Sequence, residues 1–361
     1  MARSKKKPER KPSAHSMESV VSVKQVTSAE DRMEEAVLKE YQSLFASIPD
    51  RRLNLFKTNI PGLDYILGGG LPRGQMVHAY GPEGCGKTTL ALHVTAAVQQ
   101  QGGKVLYADA ENSVDRGLAL ALGIQPDKTT YVNKIPSGEA VLDMIEKAIR
   151  ASLYPLIVVD SVAALSPAEI INGSNQDATI GVKARMLSKA LEKLNNAAVN
   201  SDTIILFINQ LRANIQTGYG VRPFTTPGGK ALPFYANTNI YMQKIGPIKE
   251  GEVQIGQQVR IRVEKNKIAP PMKDVICNLV YGQGFRKDMD LILTAKDRGV
   301  IRLKGSWYEY NGEQIGQGLN SAVDYAKTHP GFLDQLEGAL YGVSPAEVNR
   351  GDTAVVSEDS K

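Results

Sequence analysis

Short apolar runs alternate with longer amphipathic stretches through the middle of the chain. The runs predict strands over Met76–Tyr80, Val105–Ala108, Leu156–Val159 and Thr203–Ile208, and the stretches predict helices over Lys87–Gln101, Ala140–Ala151 and Ala184–Val199. Strands that are apolar along their whole length are covered on both faces, which is typical of parallel sheets. The pattern therefore predicts an α/β fold, a mostly parallel sheet with helices on both faces.

Different patterns flank this central region. Apolar residues recur at steps of three and four from Met33 to Phe45, which predicts an amphipathic helix packed either on its own chain or on a neighbouring subunit. After Asn237 the pattern changes to strands and turns, and we expect antiparallel strands that extend the sheet over Asn239–Gln243, Gln258–Glu264 and Val275–Tyr281. From about Arg286, helical segments and a hairpin signal at 307–312 predict a small α+β domain.

These shifts divide the 361 residues into five predicted segments. Residues 1–28 are rich in Lys, Ser and Pro and are predicted to be a disordered basic extension. The others are an N-terminal helix at 29–50, an α/β core at 51–285, a small C-terminal domain at 286–342 and a flexible tail at 343–361.

Charge is unevenly distributed. The formal net charge is +5, and residues 1–12 alone hold six basic residues and one acidic residue, so the rest of the chain is neutral. Residues 203–249 contain no Asp or Glu, and their basic residues are Arg212, Arg222, Lys230, Lys244 and Lys249. The positive field there either attracts a polyanion or belongs to a solvated basic face, and composition leaves both interpretations open.

Cysteine content and hydropathy indicate the compartment. The two cysteines, Cys85 and Cys277, are far apart in sequence, which excludes a disulfide scaffold and favours a reducing, cytoplasmic location. No apolar run approaches the roughly 18 residues of a membrane span, and no apolar segment of a secretory signal follows the basic N-terminus. We therefore expect no membrane association.

A glycine-rich loop joins the first predicted strand to the first predicted helix. Its residues are Gly81, Pro82, Glu83, Gly84, Cys85, Gly86, Lys87 and Thr88, which fit the phosphate-loop pattern GxxxxGK[ST], and Thr89 follows. In such loops the backbone N–H groups and the helix N-terminus bind phosphates. We expect Lys87 to contact the β- and γ-phosphates and the Thr88 hydroxyl to ligate Mg²⁺.

Polar residues end three further predicted strands. Asp160 suits a metal or its water shell when a phosphate loop lies beside it, although strands often end in Asp as a helix cap. Glu111 is the best candidate for orienting or deprotonating the attacking water, the alternative being a surface ion pair. Gln210 ends the strand before a glycine-rich loop, 211–230, and its amide suits a γ-phosphate sensor that switches this loop. A second long loop is expected at 169–181.

Seven segments in sequence order resemble the bacterial RecA recombinase family. They are GPEGCGKTTL from Gly81, DAEN from Asp109, VVDSVAAL from Val158, FINQLR from Phe207, TTPGGKALPFYA from Thr225, EKNKIAPP from Glu264 and WYEYNGEQIGQG from Trp307. The resemblance covers roughly residues 50–340. General phosphate-loop ATPases share only the first and third segments.

The resemblance implies an ATP-dependent filament on single-stranded DNA that pairs with a homologous duplex and exchanges strands. It implies ATP and Mg²⁺ bound by Lys87, Thr88 and Asp160, with Glu111 as catalytic base and Gln210 coupling the γ-phosphate to DNA. It also implies that Lys265 and Lys267 contact the ATP of the neighbouring subunit and that the helix at 29–50 serves polymerisation. Without the resemblance, the sequence would indicate only that both lysines are solvated residues of a strand.

DNA contacts also follow from the resemblance. The implied residues are Arg185, Arg212, Arg222, Thr225, Thr226, Gly228 and Gly229, which would bind phosphates without discriminating sequence. Four basic residues of the C-terminal domain either guide duplex DNA or form a plain charged surface: Lys296, Arg298, Arg302 and Lys304. The family role further implies stimulated self-cleavage of a LexA-type repressor.

The chain departs from the family pattern at several positions. Leu118 occupies the place where a tyrosine usually stacks on adenine, Pro227 interrupts the commoner TTTGG, and the tail has few acidic residues. The alternative function is a ring-shaped motor with a RecA core, a helicase or branch-migration ATPase. The loop after Leu211 and the domain after Arg286 disfavour that alternative.

Overall fold

The computed structural model describes residues 55–173, 179–213 and 224–342, together with Met33 and Lys39. The chain separates into two units, 1–50 and 51–361. In the first unit Met33 and Lys39 are helical and exposed. The remainder of the predicted helix at 29–50, the basic extension and the tail at 343–361 lie outside the described residues.

The second unit contains sixteen described strands and ten described α-helices. The strands are β1 Leu55–Phe56, β2 Leu71–Pro72, β3 Met76–Gly81, β4 Val105–Asp109, β5 Thr129–Val132, β6 Leu156–Asp160, β7 Ile204–Gln210, β8 Arg212–Ala213, β9 Phe224–Thr225, β10 Thr238–Glu250, β11 Val253–Lys265, β12 Lys273–Val280, β13 Gly284–Phe285, β14 Arg302–Lys304, β15 Trp307–Tyr310 and β16 Glu313–Gln317. The helices are α1 Pro61–Leu67, α2 Lys87–Gln100, α3 Arg116–Ala121, α4 Gly138–Arg150, α5 Ala168–Asn172, α6 Thr179–Ser201, α7 Ala231–Tyr235, α8 Lys287–Asp297, α9 Gly318–Thr328 and α10 Phe332–Tyr341. None of these helices is both long and apolar enough to cross a bilayer.

Nine strands form the central sheet, in the order β13-β12-β11-β10-β3-β7-β6-β4-β5. The six strands from β10 to β5 run parallel to one another, and the pairs β10–β11, β11–β12 and β12–β13 are antiparallel. The predicted antiparallel extension is therefore wrong for its first strand. β10 pairs in parallel with β3, Ile240 opposite Ala79, and the direction alternates only from β11 onward.

The sheet has an apolar core on each face, which explains why its central strands are apolar throughout. In β6, Val158 belongs to one core, with Leu90 and Val94 of α2. Its neighbours in sequence, Ile157 and Val159, belong to the other core, which α4 and α6 cover. The predicted mostly parallel sheet with helices on both faces is confirmed.

The C-terminal region has a core of its own. Strands β14, β15 and β16 form a three-stranded antiparallel sheet, and α8, α9 and α10 pack around it. Glu337 of α10 pairs with Lys57 and Lys287, which links this small domain to the start of the α/β core.

The predicted loop at 169–181 is partly helical. Its first residues, up to Asn172, belong to α5, and its last residues, from Thr179, belong to α6. Only Gly173 lies between these helices within the described residues.

Candidate functional site

The carboxyl ends of the parallel strands bring the predicted polar residues to one edge of the sheet. Open α/β sheets bind ligands at this edge. A cavity of about 620 Å³ opens there. Five of the predicted site residues line this cavity: Lys87, Thr88, Glu111, Asp160 and Gln210.

Close packing dictates the glycines of the phosphate loop. Gly86 has a φ of +90°, and a Cβ there would lie 2.5 Å from Cδ1 of Leu279. A Cβ on Gly81 would lie 2.1 Å from the carbonyl oxygen of Met242. Only glycine allows the backbone to pass these neighbours and enter α2 at Lys87.

Lys87 places its ammonium group inside this loop, and its described partners there are not anions. Its side chain is buried, and Nζ donates a 2.7 Å hydrogen bond to the carbonyl of Pro82. The Sγ of Cys85 lies 3.8 Å from Nζ, and burial raises the pKa of that thiol, so it remains protonated at neutral pH. With a carbonyl and a thiol as its described partners, the ammonium group is suited to bind a phosphate anion.

Thr88 and Asp160 carry oxygen atoms of the kind that a magnesium ion binds. The Thr88 hydroxyl donates to Oδ2 of Asp160 over 2.7 Å, and the Tyr107 hydroxyl donates to the same oxygen over 3.1 Å. Burial raises the pKa of Asp160 to about 6, which leaves the carboxylate ionised at neutral pH.

This donor set fits the ion. Mg²⁺ in nucleotide sites binds one or two protein oxygens together with substrate phosphates, and it rarely occupies an all-protein cage. The described residues contain no group of three or more His, Cys, Asp or Glu side chains placed to hold a metal ion.

Glu111 and Gln210 are in direct contact. Oε1 of Glu111 accepts a 2.8 Å hydrogen bond from Nε2 of Gln210 and a further one from the Ser161 hydroxyl. Strands β4, β6 and β7 supply these three residues or the turns that carry them. The candidate base and the candidate phosphate sensor are therefore one hydrogen-bonded unit.

The structure adds site residues that sequence patterns missed. Lys244 of β10, Gln257 of β11 and Tyr281 after β12 also line the cavity, and Gln257 donates to the Gly84 carbonyl over 2.6 Å. Tyr281 and Leu118, the latter at the position of the family's usual tyrosine, line the same cavity. No local motif marks these residues, because only the folding of β10–β12 beside the phosphate loop brings them there.

The start and end of the loop at 211–230 pack against neighbouring site elements. Asn209 is fully buried, and its Nδ2 donates to the Pro227 carbonyl over 3.1 Å. A Cβ on Gly228 would lie 2.2 Å from Cδ1 of Leu187 in α6. Arg185 is exposed on the same helix, two residues before Leu187.

Two of the predicted DNA-contacting arginines are incompletely described. Arg222 lies outside the described residues, as does the side chain of Arg212. The backbones of β8 and β9 pair antiparallel, with Arg212 opposite Thr225, which closes the base of this loop. Thr225 is exposed, and Thr226 is partly exposed.

The predicted trans-acting lysines lie away from this chain's own cavity. Nζ of Lys265 donates to the carbonyls of Pro233 (3.2 Å) and Phe234 (2.7 Å) in α7. Lys267 is exposed, and neither lysine lines the described cavity. Burial, and secondarily the charge of Lys267, lowers the pKa of Lys265.

The basic residues of the C-terminal domain mostly have partners. Lys304 pairs with Glu309 and Lys296 with Asp297 at 2.5 and 3.2 Å. The guanidinium of Arg298 lies 4.4 Å from the ring centre of Tyr65. Arg302 is exposed.

Comparisons with known proteins cover nearly all of the second unit. The family model for the RecA N-terminal domain matches residues 26–286, and that for the RecA C-terminal domain matches residues 289–342. Protein RecA 2 of Myxococcus xanthus is 40% identical over 297 residues, covering 81% of this chain and 82% of its own length. Protein RecA of Syntrophobacter fumaroxidans is 42% identical over 287 residues, covering 79% of this chain and 83% of its own. The crystal structure of the RadB recombinase matches with a TM-score of 0.48 and 20% identity, covering 64% of this chain and 98% of that one.

Proposed function

Since this chain belongs to the RecA family, we propose that it is a recombinase that forms an ATP-dependent filament on single-stranded DNA and exchanges strands with a homologous duplex. Family membership makes the chain a DNA-dependent ATPase that acts in recombination and repair. The contact between Glu111 and Gln210 is the observation that best supports coupling of hydrolysis to DNA.

ATP binds through the phosphate loop. The backbone of residues 81–89, the helix N-terminus and Lys87 hold the phosphates, and Thr88 and Asp160 hold Mg²⁺, which neutralises phosphate charge. Glu111 orients the attacking water and accepts its proton. Gln210 lines the same cavity and is hydrogen-bonded to Glu111, so a γ-phosphate bound there alters both residues together.

DNA binds beside this site. Arg185, Arg212, Arg222, Thr225, Thr226 and the N–H groups of Gly228 and Gly229 bind the phosphates of a single strand. These contacts carry no sequence information, which suits an enzyme in which base pairing tests homology. Asn209 transmits the state of the β7 end to this loop through its bond to the Pro227 carbonyl.

The nucleotide also joins neighbouring subunits. Lys265 and Lys267 reach the ATP of the adjacent subunit and neutralise charge that develops during hydrolysis, as an arginine finger does. Two observations support this role: Lys265 is hydrogen-bonded to the α7 carbonyls, and it does not line the described cavity of its own chain. The same filament stimulates self-cleavage of a LexA-type repressor.

The experiment that tests this proposal measures ATP hydrolysis with and without single-stranded DNA, with strand exchange assayed in parallel. We expect DNA to stimulate hydrolysis and Lys87→Ala to abolish both activities. Hydrolysis at one rate regardless of DNA, without strand exchange, would refute the proposal.

Arg222→Ala should weaken single-strand binding and reduce its dependence on salt, since one phosphate contact is lost.

A further inference from the structure

Tyr131 connects the outer edge of the sheet to a buried carboxylate. It lies in β5, the last strand of the sheet, and 45% of its surface is exposed. Its hydroxyl nevertheless donates a 2.5 Å hydrogen bond to Oδ2 of Asp109. Asp109 is fully buried and ends β4, two residues before Glu111. An edge residue is thereby bonded to the base of the turn that carries the candidate catalytic base.

Asp109 holds that turn through its backbone. Its Oδ1 accepts a hydrogen bond from the Ser113 N–H (3.2 Å), and its Oδ2 accepts one from the Val114 N–H (3.1 Å). Between Asp109 and Ser113, Asn112 adopts a left-handed φ of +53°. Glu111, Asn112 and Ser113 are all exposed, so hydrogen bonds rather than burial fix the course of the turn.

The hydroxyl of Tyr131 constrains the rotation of this carboxylate. Asp109 lies opposite Asp160 in the parallel pairing of β4 with β6, so two carboxylates share a buried neighbourhood and repel each other. Each is bonded to one phenol: Tyr107 donates to Asp160 and Tyr131 to Asp109. Without the second donor, Asp109 loses the contact that holds its Oδ2 toward β5 while it caps the turn.

We propose that Tyr131 is a positioning residue for ATP hydrolysis, acting through Asp109 to hold the 110–114 turn and place Glu111 at the cavity. This inference rests on the proposed role of Glu111. It adds that the geometry of the catalytic base depends on a side chain of the edge strand, outside the phosphate loop and outside the cavity lining.

The test uses the full-length protein with Tyr131→Phe, which keeps the ring and removes the hydroxyl. We expect kcat of the DNA-stimulated ATPase to fall by about tenfold, because a small displacement of a catalytic group has a large effect on rate. The KM for ATP and the melting temperature should change little, since the phosphate loop is untouched. An unchanged kcat would overturn the inference.

Tyr154→Phe is the matched control. The Tyr154 hydroxyl lies 2.9 Å from the Thr130 hydroxyl of the same strand, and this bond does not involve Asp109. We expect its kcat to equal that of the wild-type protein. An equal loss of kcat in both variants would show that general loosening of β5 is responsible, and it would also overturn the inference.

A double-mutant cycle identifies the route. If Tyr131 acts through Asp109, Tyr131→Phe adds no further loss of kcat to Asp109→Asn, whereas independent effects multiply. Multiplicative effects would overturn the inference. Glu111→Gln tests the underlying role separately: retained hydrolysis in that variant would refute Glu111 as the base, whatever Tyr131→Phe does.

Discussion

Two buried carboxyl groups make the stability of the fold depend on pH. Asp64 accepts a hydrogen bond from the Thr58 N–H, and Asp290 accepts one from the Asn278 N–H. Burial raises the pKa of Asp64 to about 7 and that of Asp290 to about 8. In the unfolded chain an Asp titrates near 3.9. The folded state therefore retains protons that the unfolded state releases, and this stabilisation is lost as pH rises toward 8.

We predict that the free energy of unfolding decreases between pH 5 and pH 8 and that Asp290→Asn reduces the slope. One retained proton contributes at most about 1.4 kcal/mol per pH unit. Urea denaturation at several pH values measures the slope. Asp324→Asn, at an exposed position, is the control and should leave it unchanged. A slope identical in wild type and Asp290→Asn would contradict the assignment.

The Asp160 carboxyl predicts a second pH effect, on metal binding. Its pKa of about 6 means that protonation competes with Mg²⁺ as the pH falls below that value. The Mg²⁺ concentration that gives half-maximal ATPase activity should therefore rise between pH 7 and pH 5.5, and excess Mg²⁺ should restore part of the rate. A constant Mg²⁺ requirement over that range would show that Asp160 does not ligate the ion.

At the scale of elements, the buried strands were the most predictable. The β6 and β7 runs are continuous and apolar because both faces of the sheet are covered, and such runs are conspicuous in any sequence. Sequence patterns missed β5, whose residues TTYV lie at the edge and are partly exposed. They also missed most of the outer halves of β10 and β11, where Gln, Lys and Gly residues extend a long hairpin into solvent.

The candidate site was predictable where its residues belong to local motifs. Lys87, Asp160 and Glu111 follow strands in recognisable contexts, and the structure brings them to one cavity. Tyr281 and Lys244 lacked such a context, because their position depends on how β10–β12 add to the sheet. The roles of all these residues remain predictions.

The hydrogen bond between Asn209, near the end of β7, and the Pro227 carbonyl leads to a prediction about how hydrolysis responds to DNA. Asn209→Ala removes the bond to the Pro227 carbonyl but leaves the phosphate loop intact. We expect the DNA-independent ATPase rate to stay within about twofold of wild type, while stimulation by single-stranded DNA falls severalfold. Steady-state ATPase assays with and without an oligonucleotide measure both rates, and a melting curve checks folding. Full stimulation would exclude this connection.

For the complete assembly, the proposed action of Lys265 and Lys267 on the neighbouring subunit would make filament formation a condition for activity. Lys87→Ala subunits lack a working phosphate loop but offer intact lysines, and Lys265→Ala subunits are the reverse. Each alone should be almost inactive. In a head-to-tail filament, an equimolar mixture should recover roughly a quarter of the wild-type sites. No recovery on mixing would contradict action across the subunit boundary.

The shape of the assembly separates the two candidate classes of motor. Electron microscopy with ATP and single-stranded DNA should show open helical filaments, because a head-to-tail interface that does not close extends indefinitely. Closed rings would favour the helicase or branch-migration alternative.

The apolar part of the cavity lining has a consequence for the choice of nucleotide. Leu118, Val280 and Tyr281 contribute apolar and aromatic side chains to this lining, and a purine base packed on them would be recognised more by its flat ring than by its ring substituents. Guanosine or inosine triphosphate should therefore be consumed nearly as readily as the adenosine form. The choice among nucleoside triphosphates would then depend on which of them is abundant. The distinction between a triphosphate and a diphosphate would still come from the phosphate loop, Glu111 and Gln210.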